Sequence, residues 1–343
     1  MRGADRNLLS VRGLVVRYPA GVQSNAPLTA VRGVDLDIPQ EGIYGLVGES
    51  GSGKSSLAHA ILQLNPVAAG QALWHGQDLV SMKGSQLRSA RKKIQLVFQD
   101  PLASLSPRRS ILQTLVEPLD HFGIGQAGTG KAGRREEQAS AALETVGLSP
   151  DLRHRYPSEL SGGQRQRVAL ARALITEPEL IIADEPVSSL DVSVQARIIE
   201  LILELREKLG IAFLFVSHDL AVVGQLADTV GVMYLGKIVE QGAAEDVFAR
   251  PAHPYTRALL AAVPVPDPDH PRPEVLKGEP PSPLTPPSGC VFHKRCPEPI
   301  TPCSTVVPTE TSLGGRNFST VETRDSQITD HRVRCHLWDS TKN

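Results

Sequence analysis

The 343-residue chain has few aromatic residues and no excess of charge of either sign. Aromatic residues make up 4% of the sequence, and 36 basic residues face 37 acidic ones. A nucleic-acid-binding protein normally carries a basic excess or a basic stripe, so this balance argues against a nucleic-acid partner.

Long apolar runs are also missing. No stretch approaches the roughly 20 apolar residues that a membrane-spanning helix needs. The start of the chain, residues 1–5, lacks the apolar region of a secretory signal. We therefore expect a cytosolic protein that can still work at a membrane by docking on a partner.

Cysteine is absent before residue 290. The four cysteines are Cys290, Cys296, Cys303 and Cys335, with the spacing C-x5-C-x6-C-x31-C. In a reducing compartment, such clustering indicates ligation and not disulfide bonds.

The most informative motif is the stretch 48–55, GESGSGKS, which fits the pattern G-x-x-x-x-G-K-S. It follows an apolar run at 43–47 and precedes a helical run at 56–62, and this strand–loop–helix context indicates phosphate binding. Glycines let backbone N–H groups turn inward as an anion nest, and the helix N-terminus adds its positive end. Lys54 can reach the β- and γ-phosphates, and the Ser55 hydroxyl can ligate Mg²⁺.

A second match to this pattern lies at 125–131. Ala132 occupies the place of the metal-ligating hydroxyl, and no strand of useful length precedes the stretch. We interpret it as a flexible loop. No internal repeat is found, so the chain carries one nucleotide site of its own.

Two apolar runs end in residues that can do chemistry. The run 180–183 ends at Asp184 and Glu185, and the run 211–216 is followed by His218. Open α/β sheets bind ligands at the carboxyl ends of buried parallel strands. In a phosphate-loop protein an acid there holds Mg²⁺ and a neighbouring acid orients water, so we expect His218 to lie near the γ-phosphate as well.

The pentapeptide 160–164, LSGGQ, opens a helix that runs to Leu174. Ser161 and Gln164 stand at capping-box spacing, so the motif can be a helix start and nothing more. A cap does not require two glycines, however, and Ser-Gly-Gly at a helix N-terminus offers a second nest of N–H groups for an anion.

The remaining pattern predicts an α/β domain with a helical insertion. Expected strands are 8–18 (at a sheet edge), 31–38, 43–47, 94–98, 229–234 and 237–240, and the insertion covers about 100–160. A helix is expected at 194–209, with Val194, Ile198, Leu201, Ile202, Leu205 and Leu209 buried and Gly210 ending it. Ten prolines between 264 and 287 indicate a stiff linker, so we divide the chain at 263/264 into a nucleotide-binding domain and a cysteine-containing extension.

Together with Gln99 and Asp191, these motifs resemble the nucleotide-binding subunits of ATP-binding-cassette (ABC) transporters. The resemblance covers about 8–262. It implies a P-loop NTPase fold of the ABC type, with an antiparallel β subdomain and the helical insertion. Two further matches, at 253–256 (HPYT) and 289–297 (GCVFHKRCP), with 334–337 (RCHL), look like the C-terminal extension of oligopeptide, dipeptide and nickel importer ATPases.

The resemblance implies an ATPase in which two subunits close head to tail, each ATP lying between the loop of one and the LSGGQ segment of the other. The implied ATP-binding residues are Tyr18, Gly48, Glu49, Ser50, Gly51, Ser52, Gly53, Lys54, Ser55, Ser56, Gln99, Ser161, Gly162, Gly163, Gln164 and Asp191. Ser55, Gln99 and Asp184 would bind Mg²⁺. Glu185, His218 and Gln99 would be catalytic, with Tyr18 stacked on adenine and Asp191 at the dimer seam.

For the extension, the resemblance implies a [4Fe–4S] cluster on the four cysteines. Zinc competes, since four thiolates suit both, and the lack of a C-x2-C pair favours iron–sulfur. Free structural cysteines are a third possibility.

The implied partners are a second ATPase subunit (a paralogue), two permease subunits on which the insertion docks at the cytoplasmic face of the membrane, and indirectly an extracytoplasmic binding protein. The function expected is ATP-driven import of peptides or a related solute. A soluble ABC ATPase acting on nucleic acid or the ribosome is the alternative, although the two cassettes or long heptad arms expected there are absent. A non-catalytic subunit is a third, opposed by the intact motifs.

Overall fold

The computed structural model describes residues 7–19, 27–100, 104–124, 131–263, 276, 278–314 and 330–338, with side chains omitted at 131–133. The chain divides into two compact units, each built from several segments. Unit 1 comprises Met1–Leu9, Ile38–Gly42 and Trp74–Val216, and unit 2 comprises Ser10–Asp37, Ile43–Leu73 and Ser217–Asn343.

The strands are β1 (Asn7–Tyr18), β2 (Leu28–Pro39), β3 (Ile43–Val47), β4 (Val67–Trp74), β5 (Gln77–Asp78), β6 (Ile94–Val97), β7 (Leu180–Asp184), β8 (Ala212–Ser217), β9 (Thr229–Tyr234), β10 (Lys237–Ala243), β11 (Thr311–Ser312) and β12 (Arg332–Val333). The α-helices are α1 (Lys54–Ile61), α2 (Gly84–Lys93), α3 (Ile111–Phe122), α4 (Lys131–Thr145), α5 (Gly162–Leu174), α6 (Val192–Leu209), α7 (Leu220–Gly224), α8 (Ala244–Ala249) and α9 (Pro254–Ala261). Short 3₁₀ turns lie at Pro150–His154, Pro157–Glu159, Thr301–Ser304 and His336–Trp338.

Unit 1 contains three parallel strands in the order β6, β7, β8. Every residue of β7 and β8 is buried, as expected for strands covered on both faces. The predicted insertion is helical and is formed by α3, α4 and two 3₁₀ turns. The sequence patterns did not predict α2, a short, strongly basic helix with one buried residue, Ala90.

In unit 2, β3 runs parallel to β9, and β10 pairs antiparallel with both β9 and β12. The extension therefore adds β12 and β11 to this sheet. The domain boundary at 263/264 stays a prediction. In the second sheet β1 lies between β2 and β4, so the prediction of an edge strand was wrong. Alternating polar residues suggested an edge, but they face solvent while the strand pairs on both sides.

Helix α6 confirms the predicted helix and its end. Gly210 adopts the left-handed conformation with φ of 65°. The four predicted residues in the middle of the helix are buried. Leu209 is 52% exposed and Val194 is only half-buried, so the predicted face was wrong at its two ends, where the helix begins and stops.

Within the described ranges, no helix has both the length and the apolar character needed to cross a membrane. The second match to the phosphate-loop pattern, 125–131, lies outside the described residues over 125–130, and Lys131 begins α4. Most of the predicted proline-rich linker, 264–275, also lies outside them.

Candidate nucleotide-binding site

The predicted phosphate loop turns directly from β3 into α1. Two of its glycines are required by close backbone contacts. A Cβ on Gly48 would lie 2.1 Å from the Met233 carbonyl oxygen, and one on Gly53 would lie 2.4 Å from that of Ala30. Both glycines have positive φ, 153° and 106°. The loop is therefore packed against the rest of unit 2 and its shape depends on glycine.

Lys54 lies inside this loop and is 4% exposed. Its Nζ donates to the carbonyl oxygens of Gly48 (2.7 Å) and Glu49 (3.0 Å) and lies 3.5 Å from Ser52 Oγ. The loop thus holds a buried ammonium at its centre, next to the first amides of α1. A phosphate placed there would meet both a full positive charge and the positive end of a helix.

Two other predicted nucleotide residues are brought together in the same unit. The Tyr18 hydroxyl donates to Ser56 Oγ at 3.1 Å, which ties the end of β1 to the first turn of α1. Ser55, the predicted Mg²⁺ ligand, is half-buried beside them. The stacking of Tyr18 on adenine stays a prediction.

In unit 1, Asp184 ends β7 and is 3% exposed, and Glu185 follows with φ of 46°. The Glu185 backbone N–H donates to the Val216 carbonyl of β8 at 2.9 Å, which fixes this turn to the neighbouring strand. Gln99 Nε2 donates to Glu185 Oε2 at 3.0 Å. Two of the three predicted catalytic side chains, Gln99 and Glu185, are thus in contact.

The LSGGQ segment begins α5 with a capping box, as its spacing predicts. Ser161 Oγ accepts from the Gln164 N–H (3.3 Å), and Gln164 Oε1 accepts from the Ser161 N–H (2.9 Å). The helical interpretation of this motif is therefore confirmed. The amides of Gly162 and Gly163 occupy the first two helical positions, where α-helices leave N–H groups without an internal partner. Their use by an anion stays a prediction.

Gly163 also has a packing role. A Cβ at this position would lie 2.6 Å from Cγ1 of Val194, in the first turn of α6. The glycine allows the starts of α5 and α6 to approach closely.

Asp191 is the N-cap of α6. Its carboxylate accepts from the Val194 N–H at 3.0 Å and from Ser193 Oγ at 2.7 Å, and the Ser193 hydroxyl is the main cause that lowers the Asp191 pKa. His218 is exposed directly after β8. The predicted roles of both at the nucleotide stay predictions.

The HPYT segment begins α9 and reaches the phosphate loop. His253 Nδ1 caps the helix by accepting from the Tyr255 N–H at 3.0 Å. The buried Tyr255 hydroxyl accepts the backbone N–H of Glu49 at 2.9 Å. Burial lowers the His253 pKa to about 4, which keeps the ring neutral and able to accept.

A second contact with the loop comes from the extension. Arg295 donates through Nη1 to Glu49 Oε2 (2.6 Å) and through Nη2 to Glu49 Oε1 (3.0 Å). This bidentate pair was not foreseen, although both residues lie in motifs that the sequence singled out. The sequence features that could have suggested this pair were the acidic Glu49 in the phosphate loop and the basic Arg295 between Cys290 and Cys296.

Comparison with known proteins places these features in one family. A family model described as ABC transporter matches residues 31–188, and one described as the C-terminal region of oligopeptide/dipeptide transporters matches 239–303. A peptide import ATP-binding protein of Brucella ovis is 49% identical over 302 residues, covering 88% of this chain and 93% of the relative. The chain belongs to the ABC transporter family.

Other relatives agree. The oligopeptide transport ATP-binding protein OppF of Salmonella typhimurium is 49% identical over 275 residues, covering 79% of this chain and 80% of OppF. The post-hydrolysis dimer of the ATP-binding cassette MJ0796, bound to ADP and Pi, is 28% identical with a TM-score of 0.61, covering 69% of this chain and 98% of that one. CbiO1 of Clostridium perfringens is 26% identical with a TM-score of 0.61, covering 72% and 92%. The fold is that of an ABC cassette, and this ABC protein is an ATPase expected to use ATP and Mg²⁺.

The four cysteines of this ABC ATPase all lie in unit 2. Cys290, Cys303 and Cys335 are buried, and Cys296 is half-buried. Burial raises the thiol pKa of Cys290 and Cys296, and raises that of Cys335 to about 12. Among the described residues, no group of three or more His, Cys, Asp or Glu side chains could hold a metal ion. The predicted metal site is therefore not supported by a ligand group.

Proposed function

We propose that this ATPase powers the import of peptides through a membrane permease. The observation that carries the proposal is the match of 239–303 to the oligopeptide/dipeptide transporter C-terminal region, a segment that packs against the phosphate loop of this chain. Relatives that are 49% identical over the aligned residues are named for peptide import and oligopeptide transport. A nucleic-acid- or ribosome-associated ATPase is not favoured, because these relatives are transport proteins and the charge is balanced.

In this proposal the residues act as the phosphoryl-transfer chemistry requires. Lys54 and the loop amides bind the phosphates, and Ser55, Gln99 and Asp184 complete the Mg²⁺ site. Glu185 orients the attacking water, with His218 at the γ-phosphate. The protein contributes positioning and electrostatic stabilisation of the transferred group.

We propose the assembly that the resemblance implies. Two ATPase subunits, this one and a paralogue, bind two permease subunits at the cytoplasmic face of the membrane, with an extracytoplasmic binding protein delivering the solute. A solved relative, MJ0796, is dimeric with ADP and Pi bound, which supports closure of two cassettes around nucleotide. ATP binding would favour the closed pair and hydrolysis the open one, a two-state switch that drives the permease.

The test is transport by the complete assembly. Both ATPases, both permeases and the binding protein are reconstituted in vesicles, with labelled di- and oligopeptides supplied on the binding-protein side. We expect ATP-dependent peptide uptake that Glu185→Gln in this chain abolishes. Uptake of a nickel chelate or a sugar without peptide uptake would overturn the proposed cargo. Copurification with ribosomes and no permease would overturn the proposed class.

We also propose that the cysteines hold an iron–sulfur cluster and not a single zinc ion. A zinc ion brings four sulfurs to about 2.3 Å from one point, whereas each cluster thiolate binds a different iron. Burial raises the thiol pKa of Cys290, Cys296 and Cys335, and the backbone N–H groups of Phe292, Glu298 and Leu337 oppose this shift. The proposal rests on the resemblance of 289–297 and 334–337 to the extension of the importer ATPases.

A cluster bound there would add a redox-active group to the extension. The test is elemental analysis of anaerobically purified protein. Stoichiometric iron and sulfide, lost in Cys303→Ser, are expected. Zinc without iron, or neither element, would overturn the assignment.

A further inference from the structure

The second residue of the phosphate loop, Glu49, is bound by the extension at its side chain. Arg295 forms both parallel hydrogen bonds of a guanidinium–carboxylate pair, at 2.6 and 3.0 Å, across 246 positions of sequence. The Arg295 side chain is 6% exposed and that of Glu49 is 27% exposed. A bidentate pair of this kind fixes direction as well as distance.

Arg295 is itself held in place. Its guanidinium lies 5.9 Å from the centroid of the Tyr234 ring, and Nη1 is 3.4 Å from the Tyr234 hydroxyl. The rings of Tyr234 and Tyr255 pack on Phe292, three residues before Arg295. A buried cation with few alternative partners depends strongly on its carboxylate.

Glu49 also connects Arg295 to Lys54 of the phosphate loop. Its backbone N–H donates to Tyr255, and its carbonyl accepts from Lys54 Nζ at 3.0 Å. The side chain, N–H and carbonyl of one loop residue thus join Arg295, Tyr255 and Lys54.

We propose that Arg295 is a positioning residue of the nucleotide site, which holds the phosphate loop through Glu49 and so makes nucleotide affinity depend on the cysteine-bearing segment 290–296. The proposal rests on the ATP-binding role given to this loop above. In this proposal the extension stabilises the phosphate loop of its own subunit. The loop reaches its binding shape with the pair formed, and it samples other shapes when the pair is broken.

The test measures the Kd of Mg-ADP for the full-length chain by calorimetry. ADP needs no second subunit, no permease and no hydrolysis. The variants are Arg295→Met, which keeps much of the apolar volume, Arg295→Lys, Glu49→Gln, and the Arg295→Met/Glu49→Gln double variant. Arg257→Met is the matched control, because Arg257 forms a similar but exposed pair with Glu298 in the same unit.

We expect Arg295→Met to raise the Kd about tenfold, within the usual range of coupling between sites. Arg295→Lys should bind Mg-ADP more tightly than Arg295→Met but more weakly than the wild type, since lysine keeps the positive charge but cannot form the bidentate pair. The double variant should bind no more weakly than Arg295→Met alone, because both changes remove one interaction. Arg257→Met should match the wild type.

Wild-type Kd values in folded Arg295→Met and Glu49→Gln would overturn the proposal, as would additive effects in the double variant. Melting curves identify a variant that fails to fold. If Arg295→Met does not fold, the Kd of Glu49→Gln still tests the proposal, because this substitution changes a partly exposed side chain. Failure of peptide transport would leave these Kd values interpretable, so the two proposals are tested separately.

Discussion

Glu185 has an unusual backbone for a residue with a long side chain. Its positive φ places it in a region that costs about 1–3 kcal/mol for a residue other than glycine. The conformation is maintained by the hydrogen bond to Val216 and directs the carboxylate to Gln99. Such local strain is typical of residues that carry out chemistry.

Replacement of Glu185 by Gln should therefore separate binding from turnover. The amide keeps the shape but loses the charge that orients water, so we expect kcat to fall about 10²–10⁴-fold while the Kd for Mg-ATP stays within about twofold. Glu179→Gln, in the same unit and on the surface, is the control and should keep its kcat. A Glu185→Gln enzyme with wild-type kcat would contradict the catalytic assignment.

His253 makes the stability of the protein depend on pH. Its pKa is about 4 in the folded chain and near 6.5 when unfolded, mainly because of burial, with Glu240 opposing the shift and Arg257 adding to it. Between these values the unfolded chain binds more protons, so the free energy of unfolding rises with pH. Lowering the pH from 7 to 5 should cost about 2 kcal/mol from this residue.

The variant His253→Asn tests this dependence, since Asn also caps helices but does not titrate. Urea unfolding at pH 5 and pH 7 should show a smaller difference for the variant than for the wild type. An unchanged difference would show that other groups cause the acid sensitivity.

At the scale of elements, the contact between α5 and α6 explains one glycine of LSGGQ. Gly163→Ala should destabilise the protein by about 1–3 kcal/mol, because the added methyl collides with Val194. Adding Val194→Ala should restore most of that stability by removing the colliding branch. Thermal unfolding of the single and double variants measures the recovery.

The ATPase rate of the same double variant separates packing from nucleotide binding. A stable double variant with little ATPase would indicate that the nucleotide approaches the Gly163 backbone too closely to leave room for a side chain. Full activity would show that the absence of a side chain at position 163 serves only helix packing.

Local patterns predicted the elements that carry local signals. Buried runs such as β7 and β8, the strand–loop–helix at 48–55 and the cap at Ser161 were all found where expected. Their formation depends on neighbours in sequence, so periodicity and motif spacing are enough. The basic helix α2 gave no apolar period and was missed.

Contacts between distant segments were not predictable in this way. Arg295 and Glu49 are 246 positions apart, and β10 pairs with a two-residue strand far along the chain. Neither pairing produces a periodic pattern in the sequence. The ion pair needs only one side chain from each segment, and the strand pairing needs only two residues of β12. The sequence therefore did not predict that β12 and β11 of the extension add to the sheet of β10.

At the scale of the whole molecule, the proposed site requires two subunits. Below the dissociation constant of the ATPase pair, the hydrolysis rate should rise with the square of subunit concentration, so a tenfold dilution should lower it about a hundredfold. Steady-state assays over a wide dilution series, with the paralogue at equal concentration, measure this. A rate per subunit that is constant on dilution would indicate a site complete in one chain.

The pairing of β12 with β10 also determines what happens to a subunit whose extension has been cleaved off. Without the tail, one edge of β10 would have open N–H and C=O groups, close to tyrosine rings that Phe292 now covers. Unpaired edges beside apolar surface recruit other chains. A chain shortened to end before Gly289 should aggregate, which light scattering would detect. A subunit cleaved in the extension would then aggregate before it could bind a permease and hydrolyse ATP there.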